Sequence, residues 1–144
     1  MSSNNHAEMK IELTIYPSGG GTKGYFITYE KNTINAMLRG IGATKDSIVL
    51  TDVKYEKSKN ISLAQEDSIS SLLEKVNLDI KHSKEAFIFD AWIYVVNVNG
   101  KEMARFNSLT IMEKSTNDQL EILKEIVRQL IALAPIDLDL QSFS

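Results

Sequence analysis

Cysteine is absent from this chain of 144 residues. That excludes a disulfide framework, a thiolate nucleophile and any thiolate metal site, and it suits a reducing compartment. Histidine is nearly absent too, the two being His6 and His82. His6 falls in a polar leader, residues 1–8, and His82 in the polar connection Lys81-His82-Ser83-Lys84. Neither has a second histidine or a carboxylate at metal-ligand spacing, and no strained nucleophile turn accompanies His82. Long apolar runs are missing: none approaches the roughly 20 residues of a membrane-crossing helix. The leader lacks the basic start and apolar core of a secretion signal, so the expected location is the cytoplasm, with no membrane partner. An excess of positive charge is missing as well. Sixteen Lys+Arg against nineteen Asp+Glu give a net charge of −3, which sets the overall field against nucleic acid and in favour of a basic protein partner.

Four apparent sites have simpler readings. Gly19-Gly20-Gly21-Thr22-Lys23-Gly24 has the composition of a phosphate cradle, but Gly24 leads into a strand, whereas a phosphate loop must lead into a helix. Glu66 and Asp67 favour the positive end of a helix dipole. Asp137 and Asp139 lie on one side of an extended tail, and acid–base chemistry there requires that the tail line a cleft. Lys54, Lys57 and Lys59, interleaved with Glu56, read as a solvated strand end. No catalytic, cofactor-binding or metal-ligating residue emerges.

What is present is an ordinary globular composition, 43% hydrophobic and 24% charged, in a chain long enough for one domain over residues 9–144. Ile11, Leu13 and Ile15 alternate with polar residues as in a half-buried strand, and Tyr25–Tyr29 forms a second run after the glycine loop. Residues 32–46 are ambiguous: Asn32–Arg39 allows a short helical turn, though with a poor apolar period, and Gly40 and Gly42 end whatever forms there. Ser47–Tyr55 is a third strand. Ser62 and Gln65 have capping-box spacing and open a helix with the stripe Leu63, Ile69, Leu72, Leu73 and Val76, ending near Asn77. Ala86–Val98 is a long strand, Asn99-Gly100 a hairpin turn, and Lys101 to about Ile111 its partner. Thr116 and Gln119 repeat the capping-box spacing before the stripe Leu120, Leu123, Ile126, Val127, Leu130, Ile131 and Ala134, which Pro135 stops. The expected fold is α+β: a mainly antiparallel sheet of about five strands, two amphipathic helices on one face, and an extended C-terminal tail.

A two-residue turn at Asn99-Gly100 sets Val95 opposite Ala104 and Tyr94 opposite Arg105. Side-chain alternation then puts Phe87, Phe89, Ala91, Ile93, Val95, Ala104 and Phe106 toward the helices. The other face carries Asp90, Trp92, Tyr94, Val96, Val98, Met103, Arg105 and Asn107. Aromatic residues beside arginine are enriched at interface hot spots, and Tyr94 over Arg105 permits a cation–π contact; the same residues also make good cross-strand pairs. The tail residues Leu138, Leu140 and Phe143, a second copy of the chain, or another protein are the candidate covers. The expected partner-binding residues are Asp90, Trp92, Tyr94, Arg105 and Asn107, with Asp137 and Asp139 of the tail.

Asp90-Ala91-Trp92-Ile93-Tyr94-Val95, Asn99-Gly100-Lys101 and the closing Leu130–Ile136 resemble elements of bacterial immunity proteins of the contact-dependent inhibition type. That resemblance implies a small cytoplasmic protein without catalysis or cofactor, monomer or homodimer, that binds and neutralises a basic toxin domain. Two other classes stay open: a homodimeric secretion-type chaperone or adaptor, and a ligand-binding domain or enzyme with a polar pocket between sheet and helices that contains Asp90, Tyr94 or Arg105.

Overall fold

The computed structural model describes residues 9–16, 23–43, 48–77, 79, 82–83, 92–107 and 117–138. In chain order these form β1 (Lys10–Tyr16), β2 (Lys23–Glu30), β3 (Thr33–Ala43), β4 (Ile48–Asn60), α1 (Leu63–Glu74), β5 (His82–Ser83), β6 (Ile93–Val98), β7 (Lys101–Asn107) and α2 (Asp118–Leu133). The strands make one sheet in the order β4-β3-β2-β1-β6-β7-β5. Every pairing is antiparallel except the two-residue β5, which runs parallel to β7. The α+β expectation holds, with two additions to the sheet.

One addition is β3, where the sequence suggested a helical turn. Its Ile34 and Ala36 are fully buried and pair with Tyr29 and Ile27. The β2–β3 turn is the dipeptide Lys31-Asn32, with Lys31 at φ 57. Lysine seldom adopts that left-handed conformation, so no turn signal marked the hairpin. The other addition is β5, which makes a strand of His82-Ser83 within the expected connection.

The β6–β7 hairpin keeps its predicted turn, with Asn99 at φ 52 and Gly100 at φ 82, the positive values a type I′ turn requires. Val98 pairs with Lys101 and Asn97 with Glu102, but Val96 then pairs with Ala104. Met103 is the extra residue of a β-bulge. Beyond it the register is one residue from that of an unbroken hairpin, and a one-residue slip exchanges the faces. Tyr94, Val96 and Val98 therefore share the helix-side face with Ala104 and Phe106, while Ile93, Val95, Arg105 and Asn107 lie on the other.

The core lies between the helix-side face of the sheet and the two helices, with Ile69 and Leu73 from α1 and Leu120, Leu123, Ile126, Val127 and Leu130 from α2. Ser62 caps α1 as expected: its hydroxyl accepts from Gln65 N at 3.1 Å and its own N–H donates to Gln65 Oε1 at 2.9 Å. Leu63, expected in the stripe, stands out to solvent at 76% exposure. The N-cap of α2 is Asn117, whose Oδ1 accepts from Leu120 N at 3.2 Å; Thr116, the cap expected from spacing, lies outside the described residues. Gln119 is thereby released from a capping box and ties down the end of α1. Its Nε2 donates to Lys75 O at 2.7 Å and its Oε1 accepts from Asn77 N at 2.6 Å. The helices run antiparallel, with Ser68 donating to Gln129 farther along. α2 ends at Leu133, before Pro135.

Candidate interaction surface

The residues expected to bind a partner do not share one surface. Tyr94 is fully buried, its ring 6.0 Å from that of Phe106, and burial pushes its phenol above the ordinary tyrosine range. Trp92 is half-buried on the same side, 6.1 Å from Tyr25. Arg105 sits on the opposite face, opposite Val95, and its guanidinium donates to both carboxylate oxygens of Glu102 at 3.0 and 3.3 Å. The bulge thus replaces the expected Tyr94–Arg105 pair by Tyr94–Phe106. Asn107 is buried on the Arg105 side, and Asp137 is exposed after α2. Asp90 and Asp139 lie outside the described residues, as do Phe87, Phe89, Ala91, Leu140 and Phe143. A polar pocket combining Tyr94 with Arg105 is not formed, since the sheet separates them.

Where the fold opens is at β4. Three rows of side chains cross the helix-side face. One runs Phe106, Tyr94, Ile15, Tyr25, Leu38, Tyr55; the second Ala104, Val96, Leu13, Ile27, Ala36, Lys57; the third Val98, Ile11, Tyr29, Ile34, Lys59. Each row is buried as far as β2, and Ile34 and Ala36 on β3 remain fully buried. On β4 every row emerges: Tyr55 is 53% exposed, and Lys57 and Lys59 are exposed beside it. The helix layer stops over β3. Val53, 48% exposed, adds apolar surface on the same strand.

The two sides of β4 differ in how they are held. On the helix-free side, Asn35 donates to Glu56 Oε2 at 3.0 Å and accepts from the Ser58 hydroxyl, and Thr33 donates to Asn60 Oδ1 at 3.1 Å. On the helix side, Tyr55, Lys57 and Lys59 make no side-chain hydrogen bond or ion pair with a described residue. Beside Tyr55 a cleft of about 500 Å³ is lined by Leu38, Tyr55, Ala134, Pro135, Ile136 and Asp137. A second groove of about 330 Å³ runs between α1 and α2, lined by Ala64, Gln65, Ser68, Gln129, Ala132 and Leu133.

Toward its start β4 is irregular. Its register with β3 shifts between Leu38 and Arg39 and again between Arg39 and Ile41. Gly40 makes this possible, since a Cβ there would stand 2.5 Å from Asp52 Oδ1 and 2.7 Å from Thr51 Oγ1. The Thr51 hydroxyl, the Asp52 amide and Lys54 together hold the Asp52 carboxyl below the ordinary carboxylate range. Sequence reading found the strand and the lysines but not their place: edge position follows from strand order, which local pattern does not encode.

Among the described residues, no three His, Asp or Glu side chains gather to hold a metal, and no helix is long and apolar enough to cross a membrane. No protein-family model matches the chain, and comparisons with curated proteins and with solved structures give no match.

Proposed function

We propose that this chain is a non-enzymatic protein-binding domain, and that its role is that of a cytoplasmic immunity protein that binds and neutralises a bacterial toxin domain. The observation that carries the reading is β4: a thirteen-residue edge strand, exposed at residues 49–60 apart from Leu50, that presents Val53 and Tyr55 to solvent. Open strand edges with exposed apolar side chains pair with other chains. The net charge of −3 favours a basic toxin domain through long-range steering.

The test is a toxin domain encoded beside this chain, made with its catalytic residue substituted. Size-exclusion chromatography should show a complex with this chain, weakened by salt, and co-expression with the active toxin should restore growth. A neighbouring toxin that neither binds nor is neutralised ends this reading.

A further inference from the structure

Resting on that reading, we infer that the regular half of β4, Tyr55–Asn60, receives an extended acidic segment of the partner, which adds an eighth strand to the sheet. The register from Leu38↔Tyr55 to Thr33↔Asn60 has no shift, so this half presents an even series of backbone donors and acceptors at its open edge. A strand added there gains ladder hydrogen bonds whatever its sequence. The side chains then select.

Tyr55, Lys57 and Lys59 stand at alternate positions on the helix side, and the two ammonium groups extend from backbone positions roughly 7 Å apart. Carboxylates two residues apart on an incoming strand match them, and the next same-side position, opposite Tyr55, adjoins the cleft of Leu38, Pro135 and Ile136. The segment therefore has the pattern acidic-x-acidic-x-apolar in an antiparallel arrangement. The Glu56, Ser58 and Asn60 side is already engaged by Asn35 and Thr33.

A second copy of the chain does not fit this half. Twofold axes at Glu56, Lys57 or Ser58 set Glu56 against Glu56, Lys57 against Lys57, or Lys57 against Lys59, and like charges directly opposite are destabilising. Edge lysines repel unselected strands in general. Here the same repulsion becomes specificity, because an acidic strand relieves it. The partner's overall charge sets the approach, and this local basic strip sets which segment pairs.

Two labelled peptides of about ten residues test the assignment by fluorescence anisotropy. One alternates threonine and valine with two glutamates two positions apart; its twin has lysines in their place. The acidic peptide should bind about tenfold more tightly, protect alternate amides of Tyr55–Asn60 from hydrogen exchange, and lose its advantage in salt. The double variant Lys57→Glu/Lys59→Glu, at exposed positions, should keep the melting temperature and reverse the preference. Equal binding of the twins, no binding, or protection elsewhere overturns the assignment. Tighter binding by Asp137→Asn/Asp139→Asn makes the chain's own tail the occupant and overturns it too. The inactivated toxin domain in the same titration separates the two readings. Equal affinity for wild type and the lysine variant ends the edge assignment and leaves the immunity role standing. A domain that fails to bind while the acidic peptide succeeds ends the immunity role alone.

Discussion

Lys10 and Asn99 hold each other by two hydrogen bonds: Lys10 N–H donates to Asn99 Oδ1 at 2.9 Å, and Asn99 N–H donates to the Lys10 carbonyl at 2.8 Å. They carry the β1–β6 ladder one step past Ile11↔Val98 and fasten the β6–β7 turn to the central strand. Asn99 therefore serves twice, as a left-handed turn residue and as a side-chain acceptor. Asn99→Gly keeps the turn conformation and should cost about 1 kcal/mol for the lost bond. Asn99→Ala should cost about 1 kcal/mol more, because alanine resists positive φ. Urea denaturation of both variants checks the order, and equal costs would refute the double role.

Gly24 is required by its surroundings rather than by its own conformation. A Cβ there would stand 2.6 Å from Leu50 Cδ2, 3.0 Å from Ile41 Cδ1 and 2.9 Å from the Ile15 carbonyl oxygen. The first two can turn aside; the third is the backbone of β1. Gly24→Ala should destabilise by about 1–3 kcal/mol, and a thermal melt unchanged from wild type would contradict this.

Lys124 is wholly buried on α2, with its ammonium 2.6 Å from Glu121 Oε2. Removing the carboxylate takes a charged partner from a buried ammonium, so Glu121→Ala should cost about 1–3 kcal/mol. Adding Lys124→Met should recover part of that loss, since methionine fills the volume without the charge. Strictly additive losses in the double-mutant cycle would exclude coupling.

Tyr29 packs beneath α1, where burial and then Glu66 push its phenol up to about 12 from 10.0, with Asp67 adding to the rise and the Ser70 hydrogen bond opposing it. The proton is held more tightly folded than unfolded. The stabilisation is complete below about pH 10 and is lost as pH rises through about 12. Urea midpoints of the wild type should fall over that window, and those of Tyr29→Phe should fall less. Parallel curves would show that Tyr29 does not contribute.

Much of the fold was legible because its signals are local. The alternation of Ile11, Leu13 and Ile15, the Ser62–Gln65 box, the Asn99-Gly100 turn and the apolar stripe of α2 each depend on a few neighbouring residues. β3 was hidden because Gly40 and Gly42 punctuate it and Lys31 turns without a turn residue's chemistry. The face of Trp92 and Tyr94 was misread because of Met103 alone: a bulge adds one residue, and a period of two inverts on one residue. Lys57 and Lys59 read as a solvated strand end and are solvated. That they terminate buried rows depends on β2, β1 and β6 lying beyond β3, which is information spread over the chain.

The position of β1 also governs the order in which the fold can be completed. Among the described elements β1 is the fourth of seven strands across the sheet, yet it comes first in order. Its pairing with β2 closes locally, but its other edge waits for a partner about ninety residues later, as the 89-residue separation of Lys10 and Asn99 records. During synthesis the β1–β4 meander emerges with the far edge of β1 unpaired and with Ile11, Leu13 and Ile15 bare on the face that the helices later cover. Closure of a contact this distant in sequence is slow, so in the newborn chain β1 is an unpaired edge of the meander, across it from β4.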